Sequence, residues 1–390
     1  MSMLKPLTLL SIAGLVAILS STASKSPTLP LFAEYLGASP SEIGLIAAAS
    51  TITGVLVNIT AGTLSDLYGR RRLLISSGFF FATAPFLYLF ITKPWQLIVV
   101  RVYHGIATAV FTPVAIAAIA DIYHERRGEM MGFFSSATLL GRLLAPSIAG
   151  TMITLYSFHE TYALCGVFGI AALATLLRFP KTMTTEMRST RRETDVRLLS
   201  VLANPRIVAA SSIMALPYFA MQSIETFLPL YMRTLEVEPV LIGIALTIEL
   251  AVIALLKPYG GHLYDRVGEG KVIGLGILLS ALGVLAIAFS TTYVLILTSI
   301  ILFAIGVAFT TASVPPLISR IAGEKAHGTA LGAMETIKDI GQALGPIVMG
   351  IMLTYISYSS TFIVVAMIIS SAALLSVLLR RKALDRKTLS

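Results

Sequence analysis

The sequence predicts an all-α membrane protein: twelve transmembrane helices in two pseudo-symmetric six-helix bundles. Three observations carry this. Of 390 residues, 56% are hydrophobic and only 13% charged, which is too apolar for a soluble chain of that length. Apolar runs of about 20 residues recur without the strict alternation of a membrane barrel, so helices must satisfy their backbone groups. The second half of the chain also repeats the first. The stretch Gly62-Thr63-Leu64-Ser65-Asp66-Leu67-Tyr68-Gly69-Arg70-Arg71-Arg72 returns as Gly261-His262-Leu263-Tyr264-Asp265-Arg266-Val267-Gly268-Glu269-Gly270-Lys271, 199 residues later (261 − 62).

In order, the expected spans are 6–36, 41–61, 72–91, 96–122, 129–156 and 161–179, then 206–233, 240–260, 272–290, 294–320, 329–356 and 360–380. Several are long, as tilted helices with ends outside the hydrocarbon would be. The first span could pass for a signal peptide, with Lys5, an apolar core and Ser21-Thr22-Ala23-Ser24. Against that, Leu29-Pro30-Leu31-Phe32 has a partner in Leu228-Pro229-Leu230-Tyr231, again 199 residues on (228 − 29). Between the second and third spans the Gly62 stretch is expected as a tight charged turn, with Gly for backbone geometry and Asp66 set against a nearby helix N-terminus. The fifth span repeats in the eleventh. Gly141, Pro146 and Gly150 match Gly341, Pro346 and Gly350, now at an offset of 200 (341 − 141). Gly345 falls in the same small-residue row. Residues 180–205 are polar, basic and Thr-rich, so the expected domains are 1–180, a linker at 181–205, and 206–390.

Charge placement excludes other classes. The formal net charge is +9, which by itself would allow nucleic acid as a partner. Of 29 Lys and Arg, however, Lys93 and Arg233 fall on one side, and Lys25, Arg101, Arg142 and Lys338 fall inside spans. That leaves 23 on the opposite side (29 − 2 − 4). This is the positive-inside pattern, and it puts both termini in the cytoplasm. The lone cysteine, Cys165, leaves no pair for a disulfide and no thiolate cluster for a metal. No Walker-type loop, Gly-x-Ser-x-Gly or His-Glu-x-x-His is present, so neither an ATP-driven pump nor an intramembrane enzyme is expected. No cofactor is expected. The anticipated partners are a small-molecule substrate, protons and the bilayer, with the protein as a monomer.

These residues resemble the major facilitator superfamily over the whole chain. Gly62 to Arg72 is similar to that family's signature between helices 2 and 3. Leu97 through Arg101 to Gly105 is similar to its helix 4 signature, with His104 where Gln is usual. Ala145-Pro146-Ser147-Ile148-Ala149-Gly150 resembles the helix 5 signature of drug/proton antiporters, with Ala145 and Ala149 where that branch prefers Gly. The resemblance implies two bundles that rock about a central cavity. It also implies a cytoplasmic gate of Gly62, Asp66, Gly69, Arg70 and Asp121, with Asp265 in the second copy. Asp66 would meet the start of the eleventh helix, and Arg70 would pair with Asp121 at the foot of the fourth. A second reading leaves the three arginines to set topology and bind anionic lipid.

A charge at span depth costs roughly 2.5–3.5 kcal/mol on insertion scales and is usually functional. Here the signs segregate. Lys25, Arg101 and Arg142 fall in the first half; Glu225, Glu249, Glu335, Lys338 and Asp339 fall in the second. Glu335, Lys338, Asp339 and Gln342 share one helical face at i, i+3, i+4 and i+7. That row either lines the cavity or forms an internal ion pair. Glu225 has no cation one turn away on its own helix, and desolvation is what brings a carboxyl into proton-carrying range. Glu225, then Asp339 and Glu335, are the expected proton carriers, unless Glu225 is salt-bridged to Lys25 or Arg142. Lys25, Arg101, His104, Arg142, Lys338, Gln342 and Glu249 are the expected cavity residues. Lys25 in the first span argues for a zwitterionic or anionic substrate rather than a purely cationic one. Proton-coupled export of small organic molecules is the favoured function. Symport or facilitated uptake of a sugar or organic acid is the alternative, and a non-transport membrane protein a remote one.

Overall fold

Gly69 and Gly268 set the geometry of the two copied turns. In the computed structural model they take positive φ angles of 88° and 89°, a region that Cβ-bearing residues avoid. The structure describes residues 4–180, 204–323 and 326–384. Thirteen helices run through them, with no strand among the described residues: α1 (Leu4–Ala23), α2 (Thr28–Tyr35), α3 (Pro40–Tyr68), α4 (Arg70–Leu87), α5 (Pro94–Ile122), α6 (Arg127–Leu155), α7 (Phe158–Leu177), α8 (Pro205–Thr234), α9 (Pro239–Val267), α10 (Glu269–Ala288), α11 (Tyr293–Ala322), α12 (His327–Leu353) and α13 (Tyr358–Leu384). Among the described residues, ten spans are long and apolar enough to cross a membrane. α12 is not one of them, because it carries Glu335, Lys338 and Asp339. In α13 the described apolar stretch is the shorter Tyr358–Ala373.

Two local expectations are corrected. The first span is not one helix. It breaks at residues 24–27, where Pro27 has no N–H to donate back up the helix. The freed Ala23 carbonyl accepts from Thr28 Oγ1 at 2.6 Å, so the break leaves that acceptor satisfied. Second, the stretch from Gly62 to Arg72 is not a loop. α3 continues to Tyr68 and α4 begins at Arg70, so Gly69 alone makes the turn. The backbone requirement therefore falls on Gly69, while Gly62 lies within a helix. The second copy does the same at Gly268.

Helix ends follow local chemistry. Ser39 and Glu42 close a capping box, with Pro40 in the first turn of α3. Thr292 accepts from Leu295 N–H and starts α11 after the short turn that follows α10.

The chain forms two compact units. One holds α1–α7 together with Met232–Thr247, and the other holds the rest of α8 and α9 with α10–α13. In the first unit α4 packs on α5 and α7; in the second, the equivalent α10 packs on α11 and α13. The duplication read in the sequence is thus repeated in the packing. The stretch 181–203 of the expected linker lies outside the described residues.

Candidate functional site

In the second unit the site begins with two glycines. Gly341 and Gly345 of α12 lie so close to the Ala215 and Phe219 carbonyls of α8 that no side chain would fit between. Such small-residue contacts let helix backbones approach closely. The crossing brings Gln342 Nε2 to Gln222 Oε1 at 2.9 Å. On the same α12 face Lys338 forms an ion pair with Glu335, lies 3.3 Å from Asp339 Oδ1, and sits 5.1 Å over the Tyr218 ring. One ammonium thus serves two carboxylates. Of the two sequence readings of this row, the ion pair is present. Glu335 remains half exposed beside it, at 52% of its side chain.

Glu249 stands apart. It sits on α9, is 2% exposed, and its Oε1 has no hydrogen-bond partner among the described residues. The Glu225 carboxylate on α8 is near enough to act on it electrostatically. Glu225 itself is half-buried. Sequence reasoning placed Glu249 with the cavity residues rather than with the proton carriers. Only burial distinguishes it from the acids that Lys338 holds.

In the first unit Lys25 lies on the turn between α1 and α2, half-buried, and Arg142 is exposed on α6. Arg101 and His104, expected on a cavity, are packed inside this unit at 3% and 1% exposure. Arg101 donates to Ser50 Oγ on α3. The His104 ring sits edge-on to Phe81 and Tyr88, at 6.4 and 6.1 Å between centroids, and neither nitrogen has a hydrogen-bond partner among the described residues. Tyr88 in turn stacks on Tyr162 at 4.3 Å. In this structure the pair belongs to the packing among α3, α4, α5 and α7.

At the arginine-rich end, Arg70 Nε meets Asp121 Oδ2 at 3.0 Å, both about one-fifth exposed. This is the pair the resemblance implied. Arg70 also donates to Ser65 Oγ. The side chain of Asp66 and the surroundings of Gly62 lie outside the description, so their gate roles have no observed contact. Asp265 is exposed on the last turn of α9. Sequence reasoning missed a second ion pair, Arg320 with Glu269. Both partners stand 199 residues after the first pair (269 − 70 and 320 − 121), with their signs exchanged. The repeat offset was the available signal. The inversion hid it, because matching residue types rejects an Arg aligned to a Glu.

At the other end of the first unit, α6 crosses the start of α9. Gly150 abuts the Pro239 carbonyl and Gly243 abuts the Pro146 carbonyl, so each Pro-x-x-x-Gly segment seats the other. Ser147 Oγ and Thr247 Oγ1 are 2.7 Å apart, and Thr247 also donates to the Leu143 carbonyl at 3.1 Å. Gly141 gives α6 a similar approach to α1 at Leu15. The small-residue row predicted in the fifth and eleventh spans is therefore a set of helix crossings.

A family profile described as Major Facilitator Superfamily matches residues 10–243 and again 213–389. The chain belongs to this superfamily. An uncharacterized MFS-type transporter of Methanocaldococcus jannaschii is 28% identical over 358 residues, covering 88% of this chain and 92% of that one. The quinolone resistance protein NorA of Staphylococcus aureus is 26% identical over 332 residues, covering 83% and 84%. Among solved structures, the nucleoside transporter NupG superposes with a TM-score of 0.82 over 96% of this chain and 98% of its own, at 15% identity. That likeness speaks to fold alone. The protein is a multi-pass membrane transporter with relatives in multidrug efflux.

Proposed function

We propose that this MFS protein is a secondary active transporter that exports small organic molecules in exchange for protons. The observation that carries the proton-coupled part is Glu249, an acid sealed in the second unit with an unpartnered oxygen and a second carboxylate in electrostatic reach. Buried charge is costly unless paired, whereas a neutral carboxyl tolerates a dry site. A group in that position gains from exchanging a proton for a charged substrate. Glu225 is its partner in the exchange. Asp339 and Glu335 stay tethered to Lys338 on α12. The efflux direction rests on the likeness to NorA and on the Pro146–Gly150 crossing. Arg70–Asp121 is a latch of the first unit and Glu269–Arg320 a latch of the second; both termini lie in the cytoplasm of a cell whose plasma membrane holds the protein as a monomer. Lys25 and Arg142 favour zwitterionic or anionic cargo.

The test is proton flux in proteoliposomes against a panel of zwitterionic, anionic and cationic drugs. Wild type is compared with Glu249→Gln, Glu225→Gln and Asp339→Asn. Coupled export requires substrate-dependent proton movement that Glu249→Gln abolishes. Substrate movement without protons in the wild type would leave facilitated diffusion and remove coupling. Transport restricted to cations would overturn the assignment of substrate charge.

A further inference from the structure

A cavity of about 530 Å³ opens at the arginine-rich end of the first unit, lined by Arg70, Arg71, Arg72, Asp121, Tyr68 and Phe179 among others. Two of its three guanidinium groups are held in place. Arg70 is fixed by Asp121 at 3.0 Å. Arg71 donates to the Phe179 and Leu177 carbonyls at the end of α7, at 2.7 and 3.0 Å. Arg72 is exposed and makes no ion pair or hydrogen bond among the described residues. All three belong to the first turn of α4, whose N-cap, Gly69, offers no side-chain acceptor and whose first turn carries no acid. Cations at a helix N-terminus oppose the helix dipole. Among the described lining residues one carboxylate, Asp121, faces these three cations.

The repeat serves as an internal control. At the matching turn, α10 carries its own anion, Glu269, in the first turn, where α4 has Arg70. The second copy thus places an acid where the first places a cation.

We propose that this cavity binds the phosphate headgroup of an anionic phospholipid. A guanidinium pairs with phosphate oxygens through a planar fork, and fixed forks lose little freedom on binding. A soluble phosphate ester has the same chemistry. The rim favours lipid: Leu67 and Tyr68 are 73% and 59% exposed at the mouth, an apolar lip suited to glycerol and acyl chain. Arg72 is the recruiting cation, and Arg70 and Arg71 are the seat. The inference rests on the membrane placement of the chain and not on export or proton coupling.

The full-length protein is purified and its lipid retention measured by native mass spectrometry with phosphatidylglycerol, phosphatidylcholine and inorganic phosphate as probes. Arg72→Gln and Arg72→Glu are compared with Lys271→Gln and Lys271→Glu, the matching cation of the second copy outside the cavity lining. Phosphatidylglycerol retention is expected to fall about five-fold in Arg72→Gln and about 25-fold in Arg72→Glu, with the Lys271 variants within about two-fold of wild type. A photo-cross-linking residue in place of Tyr68 should label phosphatidylglycerol in the wild type and not in Arg72→Glu. Equal losses in both sets would mean diffuse surface attraction and overturn the site. So would equal retention of phosphatidylglycerol and phosphatidylcholine. Displacement of phosphatidylglycerol by millimolar inorganic phosphate would overturn the lipid and assign a soluble anion. Failure of proton coupling would leave these results unchanged.

Discussion

Exchanging the charges of the first latch, Arg70→Glu with Asp121→Arg, should restore what either change alone destroys. Arg70 and Asp121 expose 17% and 20% of their side chains. Glu269 and Arg320 expose 32% and 61%. The second pair therefore falls in the surface class, worth about 0.2–1 kcal/mol. The first lies between that and a buried pair, where losing one partner costs about 3–5 kcal/mol, so Asp121→Asn should cost about 2–3 kcal/mol. Asp121→Arg adds repulsion between two cations at the foot of α5 and should cost more. The double exchange should recover most of the loss, because Glu269 and Arg320 hold that arrangement on equivalent helices of the same chain. The assay is thermal unfolding in detergent beside transport in vesicles, for both singles, the double, and Glu269→Gln. Two results would refute the reasoning: a folded double exchange no better than its singles, or a Glu269→Gln loss as large as that of Asp121→Asn. The first would mean that neighbours, not the pair, decide the site. The second would mean that exposure does not set the strength of the two latches.

Other outcomes follow from the helix crossings and caps. Gly150→Ala and Gly243→Ala push a methyl group into a facing carbonyl and should each destabilise by about 1–3 kcal/mol. Gly132→Ala on α6, with open space around it, should be neutral or gain up to about 1 kcal/mol of helix propensity; thermal unfolding separates the three. Thr247→Val removes the bonds to Ser147 and Leu143 and should cost about 0.6–1.7 kcal/mol, readable as a lower midpoint with unchanged helicity. Arg71→Gln leaves the α7 carbonyls without their cation, at a cost of about 0.3–1 kcal/mol, and should speed hydrogen exchange in the last turn of α7 and nowhere else.

Much of the architecture was legible because lipid leaves few choices. A backbone that must bond to itself gives helices, and a duplicated chain shows its repeat as an offset. The Arg70–Asp121 pair was reached through family resemblance. Glu269–Arg320 could have been reached through the offset, had charge product been compared instead of residue type. The polar row on α12 was read correctly as one face. Whether Lys338 neutralised its neighbours was a matter of rotamers, which spacing does not reveal.

Sequence by itself determined that this chain spans a membrane as two copies of six helices, and that few of its cations fall inside the spans. Those properties depend on composition and period, which survive any rearrangement of packing. Only the tertiary structure decided which side of each helix is sealed. It buried Arg101 and His104 in the first unit and left Arg142 exposed, though all three are polar residues at span depth. It also isolated Glu249 from the cation that Asp339 and Glu335 share. Burial depends on neighbours distant in sequence, and a helical period records where a face points but not what is packed against it.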